Sequence, residues 1–174
     1  IRMGRYAENK PKCLVPVKGI PMIMNTIEKY KDKEIIIIAD YKADVLEAYL
    51  TNFCKYNFTV CQTTEQGTAG GLAKVMDSIP DDEPFILTWA DLFFEETPEF
   101  EFDKDLLVGL SDTFKCRWKL ENNKFVNEAS TEVGVAGFFA FNNQERFNKL
   151  SISKSLVRGF LSENYKDNDI DSFI

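Results

Sequence analysis

The sequence contains no histidine. Serine–histidine and cysteine–histidine nucleophile pairs are therefore excluded within it, as are histidine-ligated zinc sites. Its four cysteines, Cys13, Cys54, Cys61 and Cys116, form no Cys-x-x-Cys pair, which removes a zinc knuckle and a thioredoxin-like site. They read as reduced, mostly buried thiols of a cytoplasmic protein. Long apolar runs are missing too: the longest, Ile35 to Ala39, is far short of the roughly 20 residues that span a bilayer. Nor is there a basic excess. The net charge of −7 argues against a nucleic-acid scaffold, because phosphate backbones select basic surfaces. Acid–base and metal chemistry is left to Asp, Glu, Lys, Arg and Tyr.

What is there is unevenly placed. Residues 1–19 carry Arg2, Arg5, Lys10, Lys12 and Lys18 against Glu8 alone, a local balance of +4 that leaves −11 for the rest. A basic head on an acidic body suits a small polyanion, and it equally suits a solvated terminus. With 174 residues the chain is long enough for one domain with a real core, and residues 1–174 are read as a single domain.

The apolar pattern gives the expected elements. Ile1 to Lys12 reads as a loop, Cys13 to Val17 as a short apolar strand closed by Pro16, and Gly19 to Pro21 as a turn. Met22, Ile23, Thr26, Ile27 and Tyr30 follow a helical period. Glu34 to Asp40 is a β-branched run apolar on both faces, as in a buried parallel strand. Ala43 to Phe53 is helical, Phe58 to Cys61 a strand, Gly70 to Ile79 a helix and Pro84 to Trp89 a strand. This alternation predicts a doubly wound, Rossmann-like α/β fold with a mostly parallel sheet and helices on both faces. Further on, Leu106–Ser111, Lys115–Leu120, Lys124–Val126 and Val133–Phe141 read as strands without intervening helices, a β-rich part. Helices around Gln144 to Leu150 and Ser153 to Asn164 close the chain.

Four stretches carry candidate chemistry. In Lys10-Pro11-Lys12 two ammonium groups flank a stiff kink, an arrangement that suits phosphates, although Lys-Pro pairs occur on many surfaces. Gln66-Gly67-Thr68-Ala69-Gly70-Gly71-Leu72 lies at a loop-to-helix junction whose glycines permit close approach of a flat ligand or simple flexibility. Asp91, just beyond an apolar strand, stands where open α/β sheets put ligands. Its hard oxygens suit magnesium, which binds through one or two carboxylates plus substrate phosphates, while a turn-capping role is the commoner one for a single Asp. In Val133 to Phe141, Gly134 and Gly137 suggest close approach of a ligand or of another backbone.

Taken in order, these stretches resemble the sugar-1-phosphate nucleotidylyltransferases, or nucleotide-sugar pyrophosphorylases. That family opens with a strand and a Gly-x-Gly-x-Arg-Met/Leu loop followed by Pro-Lys-x-Leu-x-Pro-Val. Arg2-Met3 and Pro11 to Val17 match the later parts, Gly67-Thr68-Ala69 the family's Gly-Thr-Ala, Ala90-Asp91 its strand-end Gly-Asp, and Ala136-Gly137-Phe138 its Asn-Ala-Gly-aromatic strand. The resemblance covers about residues 1–145. It implies that Arg2 and Lys12 act on phosphates, that Asp91 binds Mg²⁺, and that Gln62, Gln66, Gly67, Thr68 and Gly71 hold the nucleotide. It also implies that Gly137 borders the acceptor, with Glu128 in place of the family's Glu-Lys-Pro glutamate although Ala129-Ser130 departs from that motif.

The activity so implied is coupling of a nucleoside triphosphate to a sugar 1-phosphate with release of pyrophosphate, as in nucleotide-sugar and polysaccharide biosynthesis. The alternatives are a cytidylyltransferase acting on a non-sugar phosphate, such as phosphocholine or an amino-acid phosphate, and a catalytically inactive regulatory relative. The expected partners are the triphosphate and a phosphorylated small molecule, with no nucleic acid or membrane, and the reading is compatible with a homo-oligomer. Ala90 in place of glycine is tolerable only with a negative φ. The family's first strand, glycine loop and second metal-binding aspartate have no counterpart here, and Asp169 and Asp171 lack that aspartate's context. The expectation is a parent chain of roughly 220 to 260 residues, with these residues alone unable to turn over.

Overall fold

The computed structural model describes residues 4–64, 67–122, 124–143 and 170–173. The two closing helices expected between Gln144 and Asn164 lie outside these residues, as do Arg2, Gln66 and Asp169. The chain divides into two compact units, one made of Ile1–Glu65 with Trp89–Glu99 and the other of Gln66–Thr88 with Phe100–Ile174.

The first unit begins with two 3-10 turns, Gly4–Ala7 and Lys12–Leu14, and a hairpin of β1 (Pro16–Val17) and β2 (Ile20–Pro21). The expected strand Cys13 to Val17 is therefore corrected. Leu14 N–H donates to Pro11 O and Val15 N–H to Lys12 O, so local bonds coil the chain before it extends. Lys18 and Gly19 link the hairpin with φ of 51° and 82°, the doubly left-handed turn that matches strand twist. Helix α1 (Met22–Lys29), β3 (Ile36–Ala39), α2 (Ala43–Phe53) and β4 (Thr59–Gln62) follow close to their expected places.

β3 and β4 pair in parallel from Ile36–Thr59 to Ala39–Gln62, as the apolar Ile35–Ala39 run required. Met22, Ile23 and Ile27 on α1 and Ala43, Leu46 and Leu50 on α2 are buried, matching the helical period of each segment. All but Met22 join Cys13, Leu14, Ile37 and Ala39 in one apolar cluster. Burying each large aliphatic side chain there contributes about 1.5–3 kcal/mol against leaving it in water.

In the second unit, helix α3 runs Gly67–Ala73, earlier and shorter than expected, and a 3-10 turn at Met76–Ser78 takes up the rest of the segment. Three glycines in Gly67 to Gly71 lower helix propensity, so only a short helix forms. β5 (Phe85–Thr88), β6 (Leu106–Ser111), β7 (Lys119–Glu121), β8 (Lys124–Val126), β9 (Gly134–Phe141) and β10 (Ile170–Phe173) build a sheet. β9 lies between β5 and β6 and is antiparallel to both, while β10 is parallel to β6. Strands β5, β6, β7 and β10 thus share one direction, and β8 and β9 run the other way in this mixed sheet. The expected strand Lys115–Leu120 is replaced by an isolated Cys116–Ser130 bridge and the shorter β7. Phe139, Phe141, Leu106 and Val108 are fully buried. No helix among the described residues is long and apolar enough to cross a membrane.

Candidate functional site

The site in the first unit is built on Pro11 to Val15. Pro11, Cys13, Leu14 and Val15 are buried, while Lys12 between them stays half exposed. A 3-10 turn has three residues per turn, so neighbours point to different sides and one residue can face out while those around it anchor the backbone. Lys12 uses that freedom to reach Asp91: its Nζ lies 3.8 Å from Oδ2, with the two side chains 38% and 41% exposed.

Asp91 is carried by the turn Trp89–Leu92, closed by Leu92 N–H donating to Trp89 O at 3.3 Å. Ala90 packs against the apolar cluster and fixes the turn from below. Positive φ among described non-glycine residues occurs at Lys18, Lys42 and Asn122, so Ala90 meets the condition set for an alanine in that position. Cys13 also senses the carboxylate. Burial pushes its thiol up to about 11, and the charge of Asp91 adds to the push. A thiol held neutral in this way is no nucleophile.

The segment after Asp91 is held by polar contacts that sequence patterning missed. Asn25 on α1 donates through Nδ2 to Phe94 O at 3.0 Å and accepts from Phe94 N–H at 2.8 Å. Lys29 Nζ donates to Glu95 O, and Lys18 Nζ binds the Glu95 carboxylate and holds it below its ordinary value. These contacts join residues 66 to 77 positions apart, and no local pattern announces them. Gln62, at the carboxyl end of β4, is exposed, and its Nε2 lies 3.4 Å from Glu47 Oε2 on α2.

The remaining described site residues belong to the second unit. Gly67, Thr68 and Gly71 lie in the first five residues of α3. Glu128 is paired: its Oε2 lies 2.9 Å from Lys119 Nζ, which also meets Glu121 at 3.2 Å. These carboxylates, Glu128 first, raise the Lys119 ammonium above its ordinary value. Gly137 has φ +95° in β9, where the register with β6 shifts between Gly109 and Leu110. A bulge of this kind calls for glycine on backbone grounds alone. Gly134 has a packing reason as well, since a Cβ there would collide with Cys116 Cβ and Trp118 O.

A model of the MobA-like NTP transferase domain family matches residues 1–98, more than half of the chain and all but the last residue of the first unit. The chain belongs to this family of nucleotidyltransferases. It is 30% identical over 102 residues to the bifunctional protein GlmU of Methanocaldococcus jannaschii, a match covering 56% of this chain and 24% of that protein. The chain thus corresponds to about a quarter of that curated relative. Among solved structures its fold is similar to HddC from Yersinia pseudotuberculosis, with a TM-score of 0.73 at 18% identity over 97% of this chain and 83% of that one. It is also similar to the CTP:phosphocholine cytidylyltransferase of Streptococcus pneumoniae, with a TM-score of 0.72 at 17% identity over 98% and 84% of the two chains. At these identities the likeness establishes the α/β fold.

Among the described residues no group of three or more Asp, Glu, Cys or His side chains gathers around a metal position. The donor set at Asp91 is a single exposed carboxylate. That fits magnesium, which takes one or two carboxylates and completes its octahedron with water and substrate phosphates, and it does not fit a metal caged by protein ligands alone.

Proposed function

We propose that this chain holds the nucleotide-binding part of an enzyme that transfers a nucleotidyl group from a nucleoside triphosphate to a sugar 1-phosphate. The observation that carries the reading is the Lys12–Asp91 pair, an ammonium and a carboxylate facing one another at 3.8 Å inside the family-matched stretch. In this reading a phosphate oxygen of the acceptor attacks the α-phosphorus. A phosphorus–oxygen bond forms, the α–β bridging bond breaks, and its electron pair leaves with pyrophosphate. No protein nucleophile is needed, which suits a chain without histidine and with its Cys13 thiol held neutral.

Lys12 places a positive charge beside the transferring phosphate, and its buried neighbours hold the backbone from which it projects. Deleting such a group costs about 3 kcal/mol of transition-state stabilisation. Asp91 would hold Mg²⁺, which when bound neutralises phosphate charge and orients the reacting oxygens. Arg2, from the resemblance, would add a second cation on the phosphates. Gln62, Gln66, Gly67, Thr68 and Gly71 would receive the nucleotide, and Gly137 and Glu128 the acceptor.

The measurement is pyrophosphate release by the protein that carries this chain, with each common nucleoside triphosphate, a panel of sugar 1-phosphates and phosphocholine, with and without magnesium. Magnesium-dependent release with a sugar 1-phosphate supports the reading. Release with phosphocholine alone moves the assignment to a cytidylyltransferase of non-sugar phosphates. No release with any pair favours an inactive regulatory relative.

A further inference from the structure

We infer that Asn25 is a positioning residue for Asp91, an inference that rests on the reading of Asp91 as the metal ligand. Asp91 is exposed and sits in a turn closed by one long backbone bond. Ala90 ties the turn to the apolar cluster on its N-terminal side. On the other side the chain runs on through Leu92 and Phe93 to Phe94 without entering a strand. There Asn25 meets it.

Both hydrogen-bonding groups of the Asn25 amide are used on the backbone of one residue, at 3.0 Å to Phe94 O and 2.8 Å from Phe94 N–H. One side chain thereby does what a neighbouring strand's peptide would do. Only a primary amide of this length offers a donor and an acceptor in that arrangement. Asn25 is half-buried on α1, whose opposite face is sealed into the core by Ile23 and Ile27. The rigidity of the core is thus passed to the loop. Phe94 follows Ala90 by four residues, a tether of at most about 14 Å, so fixing both ends confines the excursions of Asp91 between them. The Lys18 contact to Glu95 is fully exposed and competes with water, so it adds far less.

The test is Mn²⁺ binding to the whole protein, followed by loss of the free-ion paramagnetic resonance signal. Wild type, Asn25→Leu, Asp91→Asn, the double variant and Lys18→Met are compared, with each variant's folded fraction checked by thermal melting. Asn25→Leu should weaken Mn²⁺ binding about tenfold, the lower end of what is seen for groups that orient a metal ligand. It should have no further effect in the Asp91→Asn background, and Lys18→Met should stay within about twofold of wild type. A purely structural Asn25 would lower the melting temperature and leave the Mn²⁺ affinity of the folded protein unchanged, which overturns the positioning role while Asp91 keeps its own. Equal weakening by Asn25→Leu in both backgrounds also overturns it. Wild-type affinity in Asp91→Asn removes the metal reading itself, and the positioning role falls with it.

Discussion

The Lys12–Asp91 loops and the Val133–Phe141 strand both stand out in the sequence as motifs, and different forces hold them. Around Lys12 and Asp91 the backbone is irregular. It is anchored by the buried Cys13 and Leu14, by the half-buried Ala90 and by the Asn25 amide, while the two charged groups stay about 40% exposed. In the β9 strand nearly every residue is buried, and its glycines answer to Cys116, Trp118 and a bulge. Anchored backbone with exposed charge is what a site needs, since the charged groups remain available to a ligand. Buried glycine under a neighbouring backbone is what packing needs. Motif resemblance alone does not separate the two, and burial does.

The sharpest way to break this contrast is Asp91→Asn. Turnover should fall roughly thousandfold, in the range for loss of one catalytic electrostatic group, with the urea midpoint unchanged. A large loss of stability would move Asp91 to the packing side. Gly134→Ala should do the reverse and lower unfolding free energy by about 3 kcal/mol, because its Cβ meets a carbonyl oxygen and a side chain in a packed sheet. Chemical denaturation measures it, and a neutral result would show that β7 can move aside.

Gly137→Ala should cost less, about 1–2 kcal/mol, for forcing a side chain into left-handed backbone. If acceptor KM rises while stability holds, Gly137 belongs to the site after all. The smallest effect is electrostatic. The Cys13 thiol rises from 9.0 in the unfolded chain to about 11 when folded, so the folded state favours the neutral form. Its contribution is fully present below pH 9 and is lost as pH climbs toward 11. Burial raises Tyr30 from 10.0 to about 12 with the same sign, so stability should keep declining above pH 10. Denaturation midpoints across pH 8 to 11 check the sign, and Cys13→Ala should flatten the first part of the decline.

Much of the fold was legible because it is written in local periodicity. The Ile35–Ala39 run could only be a strand, buried on the Ile37 and Ala39 face and half-buried on the other, and the apolar stripe of Ala43 to Phe53 only a helix against it. The misreadings fell where local chemistry competes with pattern. The bonds accepted by the Pro11 and Lys12 carbonyls coil Lys12–Leu14 before the expected strand can begin, and glycines shorten α3. In the site, Lys12 and Asp91 were legible through motif order, and the structure brings them together. Asn25 was not, because an asparagine on the polar side of a helix looks like any other until a loop 69 residues away docks on it. Glu128 was chosen for a motif, and its paired state depends on Lys119, a neighbour across the β7–β8 hairpin.

The claim that Lys12 and Asp91 form one catalytic unit is tested most directly by a double-mutant cycle on magnesium-dependent pyrophosphate release. Lys12→Ala, Asp91→Asn and the double variant are compared with wild type in the protein that carries this chain. Groups that serve the same transferring phosphate are strongly non-additive, so the double variant should be little slower than Asp91→Asn alone. Additive losses from the two substitutions, or wild-type rates in both single variants, would mean that the 3.8 Å pair is an ordinary surface contact.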